Sequence, residues 1–183
     1  TIDFGDLSAV NDSAMATASA TRAVYGGGRN NPSYYNKIDT VEIATTGNAT
    51  DFGDVTAARS GGQGCGNQTR GLFGPGANPT ASPTTVNTID YITIATLGDA
   101  QDFGDLVKAN ANMPGCSTPT RAIWVGGSPD TRFAQKVTIA SKGNSVSLGY
   151  EEWLWGAASS GNSVRGIWSA GKNEASYLNT ILY

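Results

Sequence analysis

The chain contains no histidine. That excludes a Ser-His-Asp or Cys-His nucleophile arrangement, and it removes the commonest metal ligand and the usual general base near neutral pH. Charged residues make up only 15%, well under the usual quarter. The net charge of −3 argues against nucleic acid or an anionic membrane as a partner. No apolar run is long enough to span a bilayer, so no membrane insertion is expected. Helical periodicity is missing throughout. No signal-peptide pattern is visible and the chain opens on Thr1, so it reads either as processed or as a piece of something longer. The two cysteines say little by number about redox compartment.

What the chain does have is Gly, Thr, Ser, Asn and Ala, a mixture that suits strands and turns. Its 183 residues fit one domain, 1–183. A short hydrophobic strand follows an arginine four times, at Arg22, Arg70, Arg121 and Arg165, spaced 48, 51 and 44 residues apart. The copies run Thr21 to Gly27, Thr69 to Gly74, Thr120 to Gly127 and Val164 to Gly171. A second phrase, Ile38-Asp39-Thr40-Val41-Glu42-Ile43, recurs as Ile89-Asp90-Tyr91-Ile92-Thr93-Ile94 and more weakly from Gln135 to Ser141. A third, Asp3-Phe4-Gly5-Asp6, recurs as Asp51-Phe52-Gly53-Asp54 and Asp102-Phe103-Gly104-Asp105, with a decayed copy at Leu148 to Leu154. Each unit therefore holds a small-residue strand, an Arg strand, an Ile-Asp strand and a Phe-Gly-Asp strand. Four antiparallel strands at a period near 50 predict an all-β propeller whose core is buried by stacking blade on blade. The units divide at about 1–49, 50–100, 101–147 and 148–183.

These residues resemble the kelch family. Its glycine pair corresponds to Gly26-Gly27 or Gly126-Gly127, its aromatic to Phe52 or Phe103, and its following arginine to Arg59. The likeness is loose. Phe replaces the usual Trp, the glycine pair is broken in units two and four, and the arginine after Phe103 is missing. The copper oxidases of that fold need histidine ligands, so their chemistry is excluded here. The Ile-Asp-Tyr-Ile-Thr-Ile-Ala and Asp-Phe-Gly-Asp-Leu phrases are also similar to repeats in bacteriophage virion and tail-associated proteins.

The two ends look complementary. The chain opens on a fourth-type strand, Thr1 to Leu7, and closes on a third-type strand, Leu178 to Tyr183. Pairing them would complete the last blade and give about four blades with no exposed edge. The alternative is a fragment of a larger propeller, with two or more chains sharing a ring.

Repetition weighs against most site candidates. The paired aspartates Asp3/Asp6, Asp51/Asp54 and Asp102/Asp105 allow Ca²⁺, but turn capping through backbone N–H groups is the simpler reading, and no metal or other cofactor is expected. Arg22, Arg70, Arg121 and Arg165 read as ties between blades. Cys65 and Cys116 occupy equivalent positions, as do Thr17 and Ser160, and read as free buried thiols. Trp153 and Trp155 read as core or as a plug between blades. The ligand candidates lie in loops that differ between units: Asn31, Tyr34 and Tyr35 in the first, Asp130 and Arg132 in the third.

The expected role is non-enzymatic, with no catalytic residue assigned. It is a virion structural or host-attachment module, such as a tail fibre, spike or decoration protein, located in the virion or outside the cell. Its expected partners are other virion or surface proteins and a host glycan or receptor, within an oligomeric assembly. The alternative is a secreted or cell-surface carbohydrate-binding propeller.

Overall fold

The computed structural model describes residues 2–80, 84–129, 132–149, 154–169, 171–172 and 176–183. Among them there is no helix. Four small antiparallel sheets form a four-bladed β-propeller. The first blade holds β1 (Met15–Ala18), β2 (Arg22–Gly26), a small β3 (Arg29–Asn30) and β4 (Ser33–Tyr34) hairpin, β5 (Lys37–Glu42) and β6 (Thr50–Asp54). The second holds β7 (Gly64–Gly66), β8 (Arg70–Phe73), β9 (Thr88–Thr93) and β10 (Gln101–Asp105). The third holds β11 (Gly115–Ser117), β12 (Arg121–Val125), β13 (Ala134–Thr138) and β14 (Val146–Ser147). The fourth holds β15 (Ala158–Gly161), β16 (Gly166–Ser169) and β17 (Ile181–Leu182). The sheet orders are β1-β2-β5-β6, β7-β8-β9-β10, β11-β12-β13-β14 and β15-β16-β17. The Phe-Gly-Asp strand thus closes the sheet of the preceding Ile-Asp strand, so the sheets start later than the sequence units.

The core lies in the seams between blades. Val24, Ile38, Phe52, Phe73, Ile92 and Ile94 fill the first seam. Leu72, Ile89, Phe103, Leu106, Trp124 and Ile139 fill the second. Val125, Leu154 and Trp168 anchor a smaller third. Alternation along each strand delivers these apolar side chains to the seam, because successive residues point to opposite faces.

The Phe-Gly-Asp phrase stitches one blade to the next. In β6, the Phe52 carbonyl accepts from Gly98 N at 2.7 Å and the Asp54 carbonyl from Ala100 N at 2.8 Å. Asp54 N donates to the Asp99 carboxylate at 3.0 Å. β10 repeats this toward the third blade, with Gly143 N on the Phe103 carbonyl and Ser145 N on that of Asp105. A Cβ at Gly53, where φ is +147°, would lie 2.5 Å from the Gly98 carbonyl atoms. The glycine is therefore fixed by the neighbouring blade's backbone.

The N-terminal copy makes only the lateral half of this arrangement. Gly47 N donates to the Phe4 carbonyl and Ala49 N to that of Asp6, both at 2.8 Å. The expected pairing of this strand with the last blade differs from what the sheets show: the fourth sheet contains β15, β16 and β17, and among the described residues no hydrogen bond joins 2–7 to β17. The physical reason is a short edge, since β17 spans only Ile181–Leu182. Phe4 accordingly stays 38% exposed, whereas Phe52 and Phe103 are buried.

Candidate functional site

Several of the polar repeat positions are tied to the backbone of this scaffold. Arg22 donates from Nη1 to the Ile94 carbonyl at 2.8 Å, and Arg70 from Nη1 to the Ile139 carbonyl at 2.6 Å. Each reaches the end of the third strand in the next blade. Arg22 also pairs with Glu42 at 2.7 Å. The Arg70 guanidinium stacks 4.9 Å from the Tyr91 ring, and that of Arg165 lies 5.1 Å from Tyr183. Arg121 is exposed. Asp3 and Asp102 accept from the backbone N of Gly5 and Gly104. The backbone N of Asp6 and of Asp105 donates to the Asn48 and Asn144 side chains. Asp51 and Asp54 are exposed. Among the described residues no group of three or more His, Cys, Asp or Glu side chains is placed to hold a metal ion.

Cys65 and Cys116 are free and buried. Cys65 Sγ donates to the Cys116 carbonyl at 3.6 Å, as Thr17 Oγ1 does to the Cys65 carbonyl at 3.1 Å. At Thr17 and Cys65 the shared position thus aims a small donor at a carbonyl of the next blade. Burial pushes both thiols up, Cys116 to about 11 and Cys65 well above its usual range, the latter helped by the nearby Cys116.

One buried ion pair anchors the second blade. Arg59 and Asp90 are both 0% exposed, and Arg59 Nη1 lies 2.9 Å from Asp90 Oδ2. Thr56 donates to the same carboxylate through N at 3.0 Å and Oγ1 at 2.6 Å. Three further guanidinium N–H groups donate to the carbonyls of Gly74, Phe73 and Ala57. In the first blade Asp39 holds Ser8 in the same manner, and Asn11 stands in place of the arginine.

Immediately after these positions the chain reaches one face of the propeller. There each blade makes an isolated backbone bridge at an equivalent position: Asp12 with Arg29, Ser60 with Ala77, Ala111 with Ser128, and Trp155 with Lys172. Both members of the pair recur at the 48, 51 and 44 spacing of the strand arginines. The next residue is always left-handed: Ser13 at φ 60°, Gly61 at 69°, Asn112 at 55° and Gly156 at 64°. Gly61 N donates to the Ser13 carbonyl at 3.1 Å and Asn112 N to that of Gly61 at 2.6 Å, which links three blades in series. A cleft of about 230 Å³ opens here, lined by Ser13, Gly61, Gln63, Asn112, Met113 and Gly156 among others. All four blades contribute to its lining.

The backbone is constant at these bridges and the side chains are not. In the first blade Arg29 Nε sits 3.1 Å from Asp12 Oδ2. The Tyr34 side chain raises the Arg29 pKa through a hydrogen bond, with Asp12 adding to the effect. Hydrogen bonds from Ser13 and then Arg29 lower that of Asp12. In the fourth blade the Lys172 ammonium lies 4.0 Å from the centre of the Trp155 ring, and Lys172 bridges onward to Tyr177. The second and third blades place only small residues there.

Of the loop candidates, Tyr34 lies in β4 beside Arg29, and Asn31 is exposed in the β3–β4 turn. Tyr35 is half-buried and fixed by its backbone, donating to the Gly28 carbonyl and accepting from Arg59 N. Arg132 is exposed, and Asp130 lies outside the described residues, as does Trp153. Trp155, expected in the core or as a plug between blades, is half-buried at the loop face. Lys172 and Tyr177 were missed by sequence reasoning, although a signal for them exists. Gly28-Arg29-Asn30 with Ser33-Tyr34 and Asn36 recurs as Gly171-Lys172-Asn173 with Ser176-Tyr177 and Asn179. Comparison with family models gives no match, and neither does comparison with curated proteins.

Proposed function

We propose that this chain is a non-enzymatic binding module, a virion structural or host-attachment propeller located in the virion or outside the cell. The observation that carries the reading is the loop face. Four equivalent backbone bridges hold an Asp-Arg pair in the first blade, a Trp-Lys pair in the fourth and a Ser-Ala pair in each of the other two. A rigid scaffold with variable surface chemistry is the arrangement of a recognition surface. The Phe-Gly-Asp and Ile-Asp phrasing, similar to phage virion repeats, supports the virion setting. Immunogold labelling with antibody to this chain is the test. Label on intact phage particles, and loss of host adsorption when the antibody is bound, is the expected result. Label confined to free protein refutes the virion reading.

The Trp155, Lys172 and Tyr177 cluster favours a second reading, a secreted or cell-surface carbohydrate-binding propeller. On that reading the isolated chain binds glycans without any particle, and arrayed saccharides capture it directly.

A further inference from the structure

The first seam is assembled from two halves. Val24 and Ile38 come from the first blade, and Phe73, Ile92 and Ile94 come from the second, with Phe52 contributed by β6. Arg22 then reaches across to the Ile94 carbonyl. Each half recurs once on a flank that faces solvent. By strand register, Tyr25 and Val41 stand in the first blade where Phe73 and Ile92 stand in the second. Ile43 matches Ile94, since their N–H groups donate to the carbonyls of Thr21 and Thr69 in turn. Yet Ile43 is 44% exposed and Ile94 only 1%. A groove of about 290 Å³ opens on this flank, lined by Phe4, Leu7, Tyr25 and Val41 among others. In the fourth blade, Ile167 follows Arg165 as Val24 follows Arg22, and Ile181 pairs with Ser169 as Ile38 pairs with Gly26. Ile167 and Ile181 are 40% and 68% exposed, whereas Val24 and Ile38 are both 0%.

The two flanks do not meet within one chain. Among the described residues no hydrogen bond joins β15, β16 or β17 to the first blade, and Arg165 is exposed. We propose that the fourth-blade flank of one copy of this chain docks on the first-blade flank of a second copy, rebuilding the first seam between chains. Ile167 and Ile181 enter the groove beside Phe4, Tyr25 and Val41, and Arg165 reaches the Ile43 carbonyl. Burial of these apolar side chains drives the association. A second copy is the occupant because the flanks complement each other and neither complements itself. The contact is therefore head-to-tail, and it closes into a ring or runs on as a filament. It rests on the seams and is independent of the loop face.

Light scattering on the whole chain as it leaves a sizing column tests the proposal. The expected mass is at least twice 18.9 kDa. Ile43→Asp and Ile167→Asp should each reduce it to 18.9 kDa. Both side chains are exposed in the single chain, so each variant should keep its urea midpoint. An equimolar mixture of the two variants restores one intact junction and should run at twice 18.9 kDa. Leu97→Asp, in the exposed turn after β9, should leave association unchanged. A mass of 18.9 kDa at every protein concentration, undiminished association in either isoleucine variant, or a mixture that stays at 18.9 kDa would overturn the proposal. Particle labelling of a monomeric chain defeats this proposal alone, and association without particle labelling defeats only the virion reading.

Discussion

Replacing Asp90 with asparagine should be among the most damaging single changes in the scaffold. The carboxylate accepts from Arg59 Nη1 at 2.9 Å, Thr56 N at 3.0 Å and Thr56 Oγ1 at 2.6 Å. Asparagine removes the charge and turns an N–H toward donors. Arg59 then remains 0% exposed with only carbonyls around it. Leaving one member of a buried pair behind costs about 3–5 kcal/mol. That is a large share of a total stability of about 5–15 kcal/mol. Urea unfolding followed by tryptophan fluorescence measures it, and with a slope of about 1–3 kcal/mol/M the midpoint should fall by about 1 M or more. Asp39→Asn is the matched control. Asp39 holds Ser8, and Asn11 replaces the arginine, so only neutral donors are lost, at about 1–2 kcal/mol. Removing both charges with Arg59→Met and Asp90→Leu should recover most of the loss, since apolar replacement of a buried pair is often neutral or stabilising. The reasoning is refuted if Asp90→Asn costs no more than Asp39→Asn, or if the double variant is no better than Asp90→Asn.

Gly53→Ala should destabilise by about 3 kcal/mol or more, combining a positive φ with a Cβ driven into the Gly98 carbonyl. Gly98→Ala has φ +143° but meets nothing within 4 Å, so about 1–2 kcal/mol is expected; equal midpoints would sink the packing account. The thiols predict a pH dependence. An unfolded cysteine ionises near 9 while native Cys116 stays protonated to about 11, so the unfolded state loses protons first. Their contribution is fully present below pH 9 and is lost as pH rises toward 11. Urea midpoints at several pH values should show this fall in the native protein and not in a Cys65→Ser/Cys116→Ser variant. The same burial predicts that both thiols resist alkylation until urea unfolds the chain, and rapid labelling at neutral pH would contradict it.

The seams were legible in the sequence because their residue types are demanded by contact. Phe52 and Phe103 fill a seam, Gly53 and Gly104 meet the next blade's turn, and Thr17 and Cys65 donate across to a neighbouring carbonyl. A one-residue change at any of them disturbs two blades, so the spacing and the side chains repeat together. The left-handed positions were not legible. Gly61 and Gly156 advertise a positive φ, and Asn112 tolerates one, but Ser13 carries no such mark and is set by its neighbours. The end-strand pairing was over-read from phase alone, because the phase of a repeat says which strand type comes next and not how much edge it offers. Trp155 was legible only as an aromatic of the core or of a blade boundary: its neighbour Leu154 is buried, and composition does not distinguish an aromatic in the seam from one standing on the bridge above it.

The loop face follows a different rule from the seams. Its bridges are made by backbone N–H and C=O groups, so their geometry is indifferent to the side chains that ride on them. Asp12 with Arg29, Ser60 with Ala77, and Trp155 with Lys172 therefore occupy one geometry at no cost to the fold. In such a repeat protein the informative positions are those where the backbone still repeats and the side chains have stopped. Positions that vary in both are ordinary loops, and positions fixed in both are scaffold. By that criterion the second and third blades present little chemistry, while the first blade neutralises its own cation with Asp12. The fourth sets its cation against an aromatic wall, and that asymmetry distinguishes one blade from three others built on the same strands.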